Sequence, residues 1–228
     1  MSTRTYGQFC GLARALEIIG ERWALLVVRD LVLGPKRFTD LQQTLPKIPA
    51  SILSSRLNEL EQSGVIRRRV LPQLDAGVVY ELTEYGSELD QIVLDLGLWG
   101  ARSLGHPGPD QIFTLDSAIL SLYTTFNPDN ATGVHITYEI QHANNMVIHA
   151  LIDDGALKAG EGPHPDADLV IEPTGPSFID VLTGDLSAAD AIRSGKVRIE
   201  GEPQHLELFT KLFHIPAPPE PSEGISVH

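Results

Sequence analysis

PASILSSRLNELEQSGVIRRRV, residues 49–70, joins a helix pattern directly to a strand pattern. Apolar side chains recur in it at intervals of three and four residues, which is typical of an amphipathic helix. The helix is expected to begin near Pro49 and to end at Ser63-Gly64, because glycine suits the position just after a helix. Its predicted inner face consists of Ile52, Leu53, Leu57 and Leu60.

The opposite face of this helix carries small or neutral polar side chains, where an ordinary solvated helix would carry Glu and Lys. These residues are Ala50, Ser51, Ser54, Ser55 and Asn58. Small donors and acceptors allow a helix to approach base edges in a DNA groove. A serine-rich solvent surface is the alternative interpretation.

A β-hairpin is expected directly after the helix. Two β-type runs, residues 65–71 and 78–82, are separated by a turn over residues 72–77. The first run contains three consecutive arginines, Arg67 to Arg69. Guanidinium groups can bind phosphates with two parallel hydrogen bonds, but alternate residues of a strand point to opposite faces, so not all three can reach DNA. A solvated basic strand is the alternative.

Further helices and a linker are predicted around this segment. The linker is Gly105-His-Pro-Gly-Pro109, because its prolines lack N–H donors and its glycines cost backbone entropy. We therefore expect an N-terminal domain over residues 1–104 and a linker over residues 105–111. The other helices of this domain are predicted over residues 9–20, 23–33 (buried), 38–45 and 83–104.

The charge is distributed unevenly between the two halves. The net charge is −13, yet residues 1–105 hold 12 basic and 12 acidic residues, whereas residues 106–228 hold 5 and 18. Residues 14–72 hold 10 basic and 6 acidic residues. The N-terminal domain can therefore present a positive surface to a nucleic acid, with the acidic half facing away from phosphate.

The composition of the chain indicates its cellular compartment. A chain of 228 residues that is 42% hydrophobic can form two soluble domains of ordinary size. The N-terminus lacks the apolar stretch of a signal peptide, and the densest apolar run, residues 23–33, is too short to span a bilayer. A single cysteine, Cys10, fits a reducing compartment. We expect a cytoplasmic protein without membrane insertion.

Motifs across residues 8–104 resemble those of the HxlR-type regulators, winged-helix proteins related to the MarR type. They include Trp23-x-Leu25-Leu26-x2-Arg29-Asp30-Leu31, Gly34-Pro35-Lys36-Arg37-Phe38-x-Asp40-Leu41, Gly64-Val65-Ile66-x-Arg68 and Tyr80-x-Leu82-Thr83-x2-Gly86. The resemblance implies a homodimer, with the stripe of the 83–104 helix and the first helix facing the other subunit. It also implies that the helix near residues 49–63 enters the major groove of double-stranded DNA. Two such helices about 34 Å apart would require an inverted-repeat operator.

Site residues follow from the same resemblance. Ser51, Ser54, Ser55 and Asn58 would face bases, with Ala50 on the same surface, while Arg37, Arg56 and Arg68 would lie near phosphates or brace the motif. Some members use a cysteine near the position of Cys10 to sense electrophiles or oxidants. Cys10 opens a helix with Arg14 one turn on, which favours a reactive thiolate. A small buried hydrophobe is the alternative.

The second half is predicted to be an α+β domain over residues 112–215, followed by a disordered tail over residues 216–228. Residues 134–140 alternate as in a half-buried strand, and residues 146–152 are apolar on both faces, as in a central strand. Other strands are expected at 169–171 and 196–200, and helices at 110–127, 176–183, 187–195 and 206–213.

This order, with the run from Gly184 to Gly195, resembles the sterol-carrier-protein type domain. The resemblance implies an antiparallel sheet backed by helices around an apolar tunnel for acyl chains or sterol-like molecules. The candidate lining residues are Met146, Ile148, Phe178, Ile179, Leu182, Phe209 and Phe213. Plain hydrophobic core is the alternative for these side chains.

A regulator fits the sequence better than an enzyme does. It contains no Gly-x-Ser-x-Gly elbow and no phosphate-binding Gly-Lys-Ser/Thr loop, and its eight histidines lack metal-ligand spacing. We expect no catalysis, cofactor or metal. The hypothesis is a transcription regulator whose apolar ligand changes the separation of the two DNA-binding helices. The alternative is a lipid carrier that uses the winged helix only for dimerisation, although the basic residues Arg37 and Arg67 to Arg69 favour DNA.

Overall fold

The computed structural model describes residues 5–70, 77–108 and 110–218. They form two compact units, one up to Asp95 and one from Leu96 onward. The division between the units falls before the expected linker, residues 105–111. One helix crosses the division, and its last turns belong to the second unit. The predicted wing turn at residues 71–76, Pro109 of the linker and residues 219–228 of the predicted tail lie outside the described residues.

The N-terminal unit is a winged helix-turn-helix. Its helices are α1 (Gly11–Ile19), α2 (Ala24–Val32), α3 (Phe38–Thr44), α4 (Ala50–Gln62) and α5 (Glu84–Ser87), and α6 (Asp90–Ala101) crosses into the second unit. Its strands are β1 (Lys36–Arg37), β2 (Ile66–Val70) and β3 (Val78–Leu82). They form an antiparallel sheet in the order β1-β3-β2, so the predicted hairpin is confirmed. β1 was not predicted, because two residues carry no pattern.

The inner face of α4 packs into the core of this unit. Leu53, Leu57 and Leu60 are buried beside α2, as predicted. Ile52 was expected to join them, but 38% of it is exposed. The prediction was wrong because a residue next to Leu53 is turned by about 100° around the helix axis. Ile52 therefore lies at the edge of the buried stripe.

The predicted 83–104 helix is two helices, α5 and α6, separated at Glu88 and Leu89. The hydroxyl of Thr83 accepts a hydrogen bond from the N–H of Gly86 at 3.0 Å, which caps α5. Gly86 lies so close to the backbone of Val65 that an added Cβ would be 2.0 Å from the Val65 carbonyl oxygen. After this close approach the chain turns, and Leu89 packs against the core.

The second unit is an α+β structure, and its class was predicted correctly. In chain order it contains α7 (Leu115–Thr125), β4 (His135–His142), β5 (Met146–Asp153), β6 (Ala156–Glu161), β7 (Leu169–Pro173), α8 (Phe178–Thr183), α9 (Ala188–Arg193), β8 (Val197–Gly201) and α10 (Pro203–Leu212). The sheet order is β6-β5-β4-β7-β8. The expected antiparallel sheet is corrected at one place, because β4 and β7 run parallel.

One helix start and one whole strand in this unit differ clearly from the prediction. The helix expected over residues 110–127 begins only at Leu115, because the Thr114 hydroxyl accepts the N–H of Ser117 at 3.2 Å and caps the helix there. β6 was not predicted, because Lys158 and Gly160 interrupt its apolar pattern.

The central strand of the second unit is β4, which was expected to be half-buried. Tyr138 is buried on one face, and Thr137 and Glu139 are buried on the other. The connection between β6 and β7 covers that second face, since the His164 N–H donates to a Glu139 carboxylate oxygen at 3.1 Å. β5 was expected to be central, and it lies inside the sheet between β6 and β4, although its residues alternate between buried and half-buried. The half-buried expectation for β4 was wrong because a strand's own sequence does not reveal a covering loop.

Candidate nucleic-acid interface

The outer face of α4 is exposed, as a DNA-reading face requires. Ala50, Ser51, Ser54 and Asn58 are all exposed on it. Ser55 is half-buried, and its hydroxyl donates to a Glu59 carboxylate oxygen at 3.0 Å. Four of the five predicted surface residues are therefore open for contact, and Ser55 is engaged within the helix.

The arginines of β2 divide between two faces of the hairpin. Arg67 and Arg69 share one face, where their Nε atoms donate to the two carboxylate oxygens of Glu81 at 2.8 and 2.9 Å. Arg68 points the other way and bonds to both carboxylate oxygens of Glu61 on α4, at 2.8 and 2.5 Å. Arg68 thus links the hairpin to α4, which is the bracing role among its two predicted roles.

These ion pairs reduce the charge that the hairpin offers to phosphate. The Arg68 hydrogen bonds lower the pKa of Glu61, and those of Arg67 and Arg69 lower the pKa of Glu81. Both carboxylates are therefore ionised at neutral pH, and with three guanidinium groups they leave one net positive charge. Because the guanidinium ends of these pairs are exposed, the pairs contribute little to stability, and a phosphate can displace the carboxylates.

The other two predicted cations differ in environment. Arg56 is half-buried on α4, 2.6 Å from a Glu59 oxygen and 3.5 Å from a Glu21 oxygen, so it braces α4. Arg37 is exposed just before α3, where its backbone N–H donates to Asp40 at 2.8 Å. Among the described residues the Arg37 side chain has no ion pair, which leaves it available to a phosphate.

A cation that the sequence interpretation missed lies directly before α4. Lys47 is exposed in the connection from α3, and it lines an open groove together with Arg22 and Trp23. The Arg22 guanidinium lies over the Trp23 ring at 5.2 Å. A lysine in the turn before the helix that was predicted to contact bases was the available signal for this position.

Cys10 is exposed at the start of α1, in the N-cap position. The backbone N–H groups of Ala13 and Leu12 lower the pKa of its thiol. The alternative of a small buried hydrophobe is wrong, because the thiol lies on the surface. The geometry agrees with the predicted reactive thiol, and sensing itself stays a prediction.

Apolar side chains remain exposed along two helices. On α1, Leu12 is 69% exposed and Leu16 is also exposed, with Phe9 before them. On α6, the exposed stripe consists of Ile92, Leu96 and Trp99. The predicted apolar stripes exist, and their outer residues contact no other part of the described chain closely enough to be buried.

The predicted ligand residues are found partly in the core of the second unit. Phe209 and Phe213 are buried with ring centroids 4.5 Å apart, and Ile148 is buried as well. Four others, Met146, Phe178, Ile179 and Leu182, are half-buried. Phe178 on α8 contacts Phe209, with ring centroids 5.9 Å apart. A ligand-binding role stays a prediction for all seven residues.

The described residues contain neither a candidate membrane-spanning helix nor a candidate metal cluster. No helix in the described ranges combines the length and the apolar character needed to cross a membrane. In the same part of the chain, no cluster of three His, Cys, Asp or Glu side chains is arranged to hold a metal ion.

Comparison with known proteins gives separate matches for the two parts of the chain. Residues 18–107 match the family described as HxlR-like helix-turn-helix, and residues 113–219 match the family described as alkyl sulfatase C-terminal. The second match does not test the sterol-carrier resemblance.

Curated relatives match the N-terminal part. The HTH-type transcriptional regulator YodB of Bacillus subtilis (strain 168) is 39% identical over 94 residues, which are 41% of this chain and 83% of YodB. The HTH-type transcriptional regulator YtcD of the same organism is 37% identical over 106 residues, which are 46% of this chain and 84% of YtcD. The solved structure of reduced YodB is 34% identical, has a TM-score of 0.38, and covers 43% of this chain and 97% of its own.

Proposed function

The chain belongs to the HxlR-like helix-turn-helix family of transcription regulators, and from this premise we propose that it is a cytoplasmic homodimer that recognises an inverted-repeat operator and responds to an apolar ligand. The observation that carries the proposal is the exposed small-residue face of α4, with Ser51, Ser54 and Asn58, next to a hairpin of arginines. Such a face can approach base edges while cations bind phosphates.

Salt dependence tests the DNA contact. If each subunit neutralises about three phosphates, the logarithm of the affinity should fall against the logarithm of the salt concentration with a slope of about −5. The probe is the duplex that the chain selects from a random-sequence library, measured by fluorescence anisotropy. A slope near zero would contradict the proposal, because uncharged contacts alone would then hold the DNA.

Base reading by α4 is tested separately. Ser54→Ala should reduce the affinity for the selected duplex about tenfold and leave the affinity for a random-sequence duplex unchanged, because a lost base contact carries sequence information. Ser63→Ala at the end of α4 is the control, since its hydroxyl donates to the backbone of its own helix. Equal losses for both duplexes with Ser54→Ala would argue against base reading.

The exposed stripes of α1 and α6 support the homodimer. Apolar surface on consecutive turns of a helix is costly in water, and a second copy of the same chain can cover it. Two copies would present two α4 helices, which suits an operator with two-fold symmetry.

The second unit is the proposed ligand-binding part. Phe178 on α8 contacts Phe209, which packs against Phe213 in the core, and Phe178 and Leu182 are half-buried apolar side chains on the same helix. The matched family is named for alkyl sulfatases, which agrees with a ligand that has an alkyl chain. Titration with a fluorescent fatty acid tests this: Phe178→Asp should abolish saturable binding. Saturable binding that survives the substitution would place the ligand elsewhere.

Binding without turnover completes the proposal. The sequence supplies no recognisable nucleophile or metal motif for the second unit, so we expect the chain to bind an alkyl sulfate without releasing sulfate. Incubation of the full chain with dodecyl sulfate below its micellar concentration, followed by assay of free sulfate, checks this. Release that rises in proportion to the protein concentration would make the chain an enzyme.

A further inference from the structure

Asp30 is a fully buried carboxylate in the N-terminal unit. It lies on α2 with 0% exposure, among the apolar side chains that support α4. Removing a carboxylate from water costs several kcal/mol unless it is paired and hydrogen-bonded. An apolar residue at this position would stabilise the core better than a carboxylate does. The groups that contact the Asp30 carboxylate therefore indicate what it does in the protein.

The two oxygens of Asp30 have different partners. One accepts hydrogen bonds from Nε and Nη2 of Arg29 at 2.9 and 2.7 Å, which balances the charge. The other accepts the hydroxyl of Thr44 at 2.5 Å. Arg29 is the neighbouring residue on α2, whereas Thr44 is the last residue of α3. The Thr44 bond therefore joins two elements.

The position of Thr44 affects where α4 begins. Only residues 45–49 separate it from α4, and this connection is stiff. Leu45 and Ile48 are buried in it, and the Ile48 N–H donates to the Leu45 carbonyl at 3.0 Å. Pro46 and Pro49 have fixed φ angles. A shift of the end of α3 would thus be passed on to α4.

Apolar packing alone does not fix the exact placement of α4. The inner face of α4 is buried in the core through Leu53, Leu57 and Leu60, but contacts between leucines are not directional. A hydrogen bond to a buried carboxylate has a fixed length and direction. We propose that Asp30, acting through the hydroxyl of Thr44, is a positioning residue that sets the placement of α4 and so the ability of the protein to distinguish its operator from other DNA.

Thr44→Val tests this inference, which rests on the proposed DNA-binding function. Valine keeps the shape of threonine and removes its hydroxyl. We expect the affinity for the duplex selected by the wild-type chain to fall about tenfold, as for a lost base contact. The affinity for a random-sequence duplex and the salt slope should stay unchanged, because phosphate contacts tolerate a small displacement. Thr44→Ser should restore discrimination.

Two further variants keep the test decisive. Thr39→Val is the matched control, because Thr39 is exposed on the same helix and forms no bond to Asp30. Thr44→Ala is the substitute if valine prevents folding. Unchanged discrimination with a folded Thr44 variant would overturn the inference, and so would equal losses for both duplexes. Failure of the wild-type chain to bind any duplex would instead contradict the proposed function.

Discussion

The thiol of Cys10 occupies a position that favours its ionised form. The N–H groups at the start of α1 lower its pKa, so more of it is thiolate at a given pH than in a free cysteine. We expect iodoacetamide to alkylate it with a pH midpoint below that of glutathione, as followed by mass spectrometry. Cys10→Ser should take up no label.

A sensor role requires more than reactivity. If Cys10 senses oxidants, peroxide or a quinone should change the DNA affinity of the wild-type chain and leave that of Cys10→Ser unchanged. The wild-type affinity staying constant under both reagents would dismiss sensing while leaving the reactive thiol in place.

Arg37 and Arg56 illustrate how one residue type takes two roles. Arg37→Gln should make the salt slope of the dimer shallower by about two, since each phosphate contact contributes about 0.9, and should leave stability unchanged. Arg56→Gln should leave the slope unchanged and lower the free energy of unfolding by about 1 kcal/mol, because Glu21 and Glu59, each more than a third exposed, would lose their shared cation.

The measurement for Arg56 needs a probe of the N-terminal unit alone. Urea unfolding followed by the fluorescence of Trp23, in a Trp99→Phe background, provides it. A shallower salt slope for Arg56→Gln would place that guanidinium on DNA. The sequence could not separate the two roles, because Glu21, one of the two carboxylates paired with Arg56, lies 35 residues earlier in the chain.

At the scale of elements, part of the positive charge of the β2–β3 hairpin is paired with a carboxylate of the same hairpin. Glu81→Gln should release Arg67 and Arg69, strengthen binding to a random-sequence duplex and steepen the salt slope by about one for each phosphate gained. Glu88→Gln removes the same charge from an exposed site in the turn between α5 and α6 and controls for net charge. Equal effects of the two variants would show that only net charge matters.

Elements with a strong internal period were predictable from the sequence, and those defined by neighbours were not. α4 has its apolar residues on one face, and its bounds agree with the prediction within a residue or two. β4 carries the alternation of a half-buried strand, yet Glu139 on its second face is only 6% exposed. That burial comes from His164 in a later connection, and no local pattern records it.

At the scale of the whole molecule, the exposed apolar stripe on α1 is the surface that a second copy of the chain would cover. Leu12→Glu should convert dimers to monomers in sedimentation equilibrium, because it places a charge within the apolar contact. The affinity for the two-fold operator should fall about 100-fold, since the second α4 would no longer be linked to the first.

Tyr85→Glu controls for an exposed apolar side chain outside the stripe, and it should leave the dimer intact. Dimers that persist in Leu12→Glu would assign the interface to other residues. The candidate site was predictable at this scale because the small-residue face, the basic segment and the apolar stripes all leave compositional traces in the sequence.

The helix α6 belongs to both units, and this limits how such proteins can be recombined. A chimera joined after residue 104 would keep Gly97 but lose its neighbour Thr124, whose methyl group lies 3.3 Å from where a Cβ of residue 97 would be. A junction at residue 88 would remove Leu89 and Val93 from the first core. Exchange of the second unit as a cassette should therefore succeed only when the helix is redesigned with it.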